Sequence, residues 1–183
     1  VRKLHDEAEC FPSSALQGGA IGGMRVAAHD TLGGLRDHPD AIPPGRAAAL
    51  IDAAATALER LTPLLERRCA AGFVRRCHGD LHLRNICLVD GRPRLFDCIE
   101  FNDALACIDT LYDLAFLLMD LSHRDLGHYA NLAMNRYLAA DPDNALQDEG
   151  LAALPFFLAL RAGIRAWADA TAAAGAAPDE ARA

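Results

Sequence analysis

The sequence predicts a mostly α, α+β fold with one small β-hairpin, and three observations predict it. Hydrophobic residues are 52% of the 183, rich in Ala and Leu and poor in aromatics, a composition that suits packed helices. Apolar residues recur at helical spacing over 44–69, 106–121, 124–139 and 149–173. Residues 86–97 differ: two apolar runs flank Asp90-Gly91, a pair suited to the positive φ of a two-residue hairpin turn. A chain of this length buries about 70% of its unfolded surface in one core, so a single domain over 1–183 is expected.

In chain order, residues 1–9 read as a helix and 10–42 as mixed and loop-rich. The run Gly18-Gly19-Ala20-Ile21-Gly22-Gly23 lacks the Gly-Lys-Ser/Thr ending of a phosphate-binding loop and reads as a flexible connection. Residues 44–69 form an amphipathic helix or a helix pair, with Pro63 as its kink or second start. This lead-in (1–72) precedes a loop and hairpin at 73–103. Residues 104–173 are then helical: 106–121 is a buried helix, almost wholly apolar from Leu111 to Met119 apart from Asp113. The next, 124–139, offers Leu126, Tyr129, Leu132, Met134 and Leu138 as its apolar face. Asp141-Pro142-Asp143-Asn144 is a turn, and 149–173 is a helix with Pro155 near its start. The tail, 174–183, is expected to fray. No internal repeat is visible.

A net charge of −7 argues against a nucleic-acid footprint, since phosphate backbones demand a basic surface. Seventeen arginines against one lysine reflect base composition more than function. No membrane or targeting segment stands out, and the cytoplasm is the expected location. Cysteines 10, 69, 77, 87, 98 and 107 show no zinc spacing, and reduced, mostly buried thiols are expected. Cys87 and Cys98 are assigned to the two hairpin strands, where packing is preferred over a redox link.

The chemistry concentrates in Cys77-His78-Gly79-Asp80-Leu81-His82-Leu83-Arg84-Asn85, followed after the hairpin by Asp97. Phosphoryl transfer needs a carboxylate to orient an attacking hydroxyl and accept its proton. It also needs an amide oxygen and a second carboxylate to hold Mg²⁺ on the nucleotide phosphates. Asp80, Asn85 and Asp97 supply these in order, and a hairpin brings Asn85 and Asp97 to one place. One carboxylate and one amide form a sensible partial Mg²⁺ shell. Singly, each residue also fits a turn, a cap or a surface polar group.

Residues 77–121 resemble the aminoglycoside phosphotransferase and choline kinase-like family, whose signature is His-Gly-Asp, four residues and Asn, then Asp after a short hairpin. In detail, Cys77 to Asn85, Leu95 to Asp103 and Asp109 to Leu121 resemble the phosphotransferase half of bacterial two-part proteins that also carry a P-loop kinase domain. The resemblance implies a protein-kinase-like C-terminal lobe using ATP or GTP with Mg²⁺ on a small-molecule hydroxyl. It implies Asp80 as catalytic base and Asn85 and Asp97 as metal ligands. His78, His82 and Asp113 would support the loop, and Glu100 would lie near substrate or metal. It also implies an acceptor pocket within 121–170, where Asp120, Asp125 and Asp169 either meet a cationic acceptor or are solvated surface. By residue type alone, His78 reads as a hydrogen-bonded structural histidine and Asp113 as a buried carboxylate that needs a partner.

A two-lobed kinase sets a glycine-rich strand-turn-strand and then a strand lysine before its catalytic loop. Here the only lysine, Lys3, precedes the only glycine-rich run. The expectation is therefore a C-lobe without its nucleotide lobe, either part of a longer protein or the product of a shortened gene. Two functions follow: a kinase acting on a small-molecule hydroxyl, or a non-catalytic binding or regulatory module derived from one.

Overall fold

Among the described residues, two antiparallel two-stranded ladders lie in a mostly helical chain. The computed structural model describes residues 1–15, 19 and 21–175. Gly18 and Ala20 of the glycine run, and most of the expected fraying tail, lie outside the described residues.

Helix α1 spans Arg2–Glu7, and a short 3₁₀ turn covers Ser13–Ala15. The stretch expected to be loop-rich contains a helical path instead. It comprises α2 (Gly22–Val26), a π-helical turn (Ala27–Thr31), α3 (Leu32–Gly34) and a 3₁₀ turn (Leu35–Asp37). Low glycine propensity is overridden by burial, since Leu32 and Leu35 are 1% and 0% exposed. Glycine in fact permits the packing. A Cβ at Gly34 would lie 2.6 Å from Trp167 Nε1, and one at Gly163 would lie 2.6 Å from Leu32 Cδ2.

Helix α4 (Pro44–Ala70) opens with Pro44 at its first position, where the missing N–H costs nothing. It is one helix, with Pro63 inside it. Buried Leu58, Leu61 and Leu65 hold both sides of the proline against the core, and the Thr62 hydroxyl donates to the Leu58 carbonyl at 2.8 Å.

Strand β1 (Val74–Arg76) leads into the loop, and the hairpin follows as β2 (Ile86–Val89) and β3 (Arg92–Leu95). Its register runs from Ile86↔Leu95 to Val89↔Arg92. Asp90 and Gly91 have φ of 51° and 70°, as the turn chemistry required. After it come α5 (Asp103–Ala106), capped by Asn102, and β4 (Cys107–Asp109), paired with β1 in the register Val74↔Asp109. The helix expected from 106 therefore begins later, as α6 (Thr110–His123). Asp109 explains the break. Its carboxylate accepts from Leu111 N at 2.8 Å, capping α6, and from Arg68 Nε and Nη2 at 2.7 and 2.8 Å in a buried bidentate pair.

Every residue of α6 from Thr110 to Leu121 is buried, which places this helix at the centre of the core. Around it lie α7 (Gly127–Leu138), α8 (Ala145–Glu149), a 3₁₀ turn (Gly150–Ala153) and α9 (Leu154–Gly175). The inward face of α7 matches the expected one in part: Leu126 and Met134 pack against the core. Ala130 and Tyr137 are buried, whereas Tyr129 and Leu132 are 52% and 45% exposed. Ala145–Gly175 is also long and apolar enough to cross a membrane by length and composition alone, although no such segment is expected from the sequence. Here its Phe157 and Leu160 are buried in the core, and α9 packs against α6.

All six cysteines are free: Cys69, Cys77 and Cys107 are buried, but Cys10, Cys87 and Cys98 are exposed. Cys87 faces Arg94 across the hairpin, and Cys98 lies beyond β3, so the two are not strand partners.

Candidate active site

The loop between β1 and β2 is pinned from several directions. At its start Gly79 adopts φ +81°, where a Cβ would meet Ile99 Cδ1 at 2.9 Å and the Leu105 carbonyl at 3.0 Å. Only glycine suits that position. From below, α6 presents Asp113 and Asp120, seven residues and two turns apart and so on one face. Asp113 is 0% exposed and accepts from His78 N at 3.2 Å, Gly79 N at 2.9 Å and His5 Nε2 at 3.0 Å. Asp120 accepts from Leu83 N at 2.9 Å and Arg124 Nε at 3.1 Å. Two carboxylates thus grip the loop on either side of Asp80.

Burial alone would raise the pKa of both. The His5 hydrogen bond and charge, with Arg161 and the Gly79 amide, outweigh it at Asp113 and hold the carboxyl below its ordinary range. At Asp120 the Leu83 amide and Arg124 have the same effect. The acceptor-pocket role considered for Asp120 is therefore corrected: it is 1% exposed and committed to the loop. Asp169 pairs with Arg165 at 3.0 Å.

His78, 2% exposed, joins the loop to the segment after the hairpin. Its Nε2 donates to the Phe96 carbonyl at 2.8 Å, and its own carbonyl accepts from Ile99 N at 2.9 Å. These two bonds straddle Asp97, which sits at φ +60°, a left-handed conformation uncommon outside glycine. Phe96 N donates to the Asn85 carbonyl at 3.1 Å, extending the ladder by one bond. Asn85 and Asp97 thereby stand together at the open end of the hairpin.

Asn85 Nδ2 donates at 2.9 Å to both the backbone carbonyl and Oδ2 of Asp80. His82 Nε2 lies 3.3 Å from the same Oδ2, and its ring meets Phe116 edge-on at 5.3 Å. Among the described residues, Asp80 Oδ1, Asn85 Oδ1 and the Asp97 carboxylate have no hydrogen-bond partner. One carboxylate oxygen is left to accept a proton, and two hard oxygen donors at the hairpin end suit a cation such as Mg²⁺. Glu100 is exposed, accepts from Cys98 Sγ at 3.7 Å, and lines an open cavity of about 420 Å³ with Phe101 and Asp103.

No local pattern marks His5, which reaches Asp113 across 108 positions. His5, Cys77 and Asp113 place potential ligand atoms within 4.8 Å of one another. Those atoms are already engaged: His5 by Tyr137 and Asp113, and Cys77 Sγ by the Ile108 carbonyl at 3.5 Å. Burial also pushes the Cys77 thiol well above its ordinary pKa, against metal binding as a thiolate.

Comparison with known proteins converges on this region. Uncharacterized proteins of Mycobacterium bovis and Mycobacterium tuberculosis are 34% identical over 158 residues, covering 81% of this chain and 29% of each relative. The chain thus spans under a third of their length. No solved structure matches it. Residues 27–148, which contain the whole loop, the hairpin and both carboxylates of α6, match the Phosphotransferase enzyme family. This chain belongs to that family.

Proposed function

We propose that this chain is the C-terminal lobe of a kinase that moves the γ-phosphate of ATP or GTP to the hydroxyl of a small molecule. One observation carries the reading: Asn85 Nδ2 binds Asp80 Oδ2 at 2.9 Å, leaving Asp80 Oδ1 and Asn85 Oδ1 uncommitted beside Asp97. In this reading Asp80 Oδ1 accepts the hydroxyl proton as the oxygen attacks. Asn85 and His82 hold the other carboxylate oxygen, fixing the direction of the acceptor. Asn85 Oδ1 and Asp97 would hold Mg²⁺, which when bound neutralises charge on the phosphates. His78 keeps Asp97 in place through the bonds on either side of it. The match covers 29% of each relative, and the remainder has room for a nucleotide lobe and for a separate P-loop kinase domain.

A second reading, a binding or regulatory module without catalysis, draws on Lys3. It is the only lysine of the chain, its side chain is 85% exposed, and it pairs with Glu7 at 3.7 Å on α1. It is not placed as a phosphate-binding lysine. Kinetics of the full-length protein separate the two readings. With Mg²⁺-ATP and a panel of small alcohols and amino sugars, Asp80→Ala should lower kcat by about 10²–10⁴-fold. Transfer that survives the substitution unchanged would remove Asp80 from the chemistry, and a wild-type protein inert across the panel would favour the module.

A further inference from the structure

Helix α1 reaches the catalytic loop indirectly, through its buried His5 and the Asp113 carboxylate of α6. His5 is 1% exposed, with Nδ1 2.8 Å from the Tyr137 hydroxyl and Nε2 3.0 Å from Asp113 Oδ2. A carboxylate only accepts, so Nε2 carries the proton in this contact, and in the neutral ring Nδ1 accepts from the tyrosine. The same Oδ2 accepts from His78 N, Oδ1 accepts from Gly79 N, and the next residue is Asp80. An unbroken chain of hydrogen bonds therefore runs from α7 through α1 and Asp113 of α6 to the peptide that carries the proposed base.

The backbone of α1 is anchored separately. The Arg75 guanidinium donates to the carbonyls of His5 and Asp6 at 2.9 Å each and of Ala8 at 3.3 Å. This clamp holds the end of the helix to β1 and leaves the loop to His5. Removing the imidazole would thus cut the link to the loop while α1 keeps its anchor.

We propose that His5 is a positioning residue for phosphoryl transfer. It orients the Asp113 carboxylate, and through it the His78 and Gly79 amides that aim Asp80, so the seating of α1 tunes the reaction from outside the site. The catalytic part of this proposal rests on the kinase reading above, whereas the mechanical part does not. The geometry predicts that a displacement of α1 changes kcat and leaves nucleotide affinity alone, because Asn85 and Asp97 flank the open end of the hairpin, where Ile86 pairs with Leu95 and Phe96 N donates to the Asn85 carbonyl at 3.1 Å.

The test uses full-length protein and three forms: wild type, His5→Ala and His5→Gln, whose amide places an N–H donor close to the position of Nε2. Amide hydrogen exchange is read at residues 78–79 and across α6, and transfer kinetics are read with Mg²⁺-ATP. The proposal expects faster exchange at 78–79 in His5→Ala with α6 unchanged. It also expects a fall in kcat of about tenfold or more at constant KM for nucleotide, with both effects reversed in His5→Gln. Unchanged exchange at 78–79 would overturn it. So would loosening that spreads through α6 and is not rescued by glutamine, since that is the mark of a merely structural histidine. A wild-type protein inert in transfer overturns the kinase reading alone, and the exchange data then decide the coupling by themselves.

Discussion

Replacing Asp113 with asparagine keeps the side-chain shape but removes the charge on which the loop rests. The native carboxylate accepts three buried donors: Gly79 N on Oδ1, and His78 N and His5 Nε2 on Oδ2. Asparagine can satisfy one backbone amide with its carbonyl, while its NH₂ group faces the other amide, donor against donor. His5 can accommodate the change only by reversing its tautomer and turning Nδ1–H toward Tyr137. A hydrogen bond to a charged group contributes about 1.5–3 kcal/mol, and a buried N–H left without an acceptor costs about 1–3 kcal/mol. Relief from the desolvation of a buried charge offsets part of this. Asp113→Asn should therefore lose about 2–4 kcal/mol, and Asp113→Ala, which orphans all three donors, about 3–6 kcal/mol. Urea denaturation at pH 7 should show a lower midpoint with the slope unchanged. The pH dependence has a definite sign. Because the folded carboxyl titrates below its ordinary value, the unfolded chain binds its proton first as pH falls. The stabilisation is complete above about pH 4 and is lost as pH falls through the lower, folded pKa. The gap between wild type and Asp113→Asn should narrow only below about pH 4. A gap under about 1 kcal/mol at pH 7, or one that stays constant down to pH 3, would mean that the loop does not rest on the Asp113 charge.

Two further substitutions probe the supports of the loop. Arg68→Met leaves the Asp109 carboxylate buried and unpaired, so denaturation should show a loss of about 3–5 kcal/mol, partly recovered in Arg68→Met/Asp109→Asn; a loss below 1 kcal/mol would mean the pair is idle. Gly79→Ala forces a Cβ to within 3.0 Å of the Leu105 carbonyl at φ +81°. About 1–2 kcal/mol of conformational strain should appear as a lower melting temperature, together with a loss of transfer of about 100-fold as Asp80 is displaced. Wild-type behaviour would show that the loop tolerates a side chain there.

The local features of the site were legible because their causes are local. Asp90-Gly91 announces its turn through the positive φ that both residues adopt, and the spacing of Asp80, Asn85 and Asp97 follows from the hairpin between them. What escaped reading depends on contacts distant in sequence. The helical path at 22–37 contains four glycines, so its propensity is poor. Gly34 against Trp167 and Gly163 against Leu32 are packing partners that no local pattern reveals. Strand β4 is three residues long and runs into an apolar helix, and only its pairing with β1 and the Arg68–Asp109 contact set it apart. Asp120 looked like surface because acidic residues usually are. Its burial is set by the Leu83 amide above it. On α7, Tyr129 and Leu132 fit an apolar stripe as well as Ala130 and Tyr137 do, and only the position of α6 decides between the two faces.

In the proposed site, Asn85 and Asp97 hold the nucleotide's metal beside Asp80. The most direct measurement is a crystal structure of the full-length protein with Mn²⁺ and a non-hydrolysable ATP analogue, locating the metal by anomalous scattering. The metal is expected about 2.0–2.2 Å from Asn85 Oδ1 and an Asp97 carboxylate oxygen, with Asp80 Oδ1 facing the γ-phosphate. Nucleotide and metal bound with Asn85 and Asp97 both uncoordinated would contradict it.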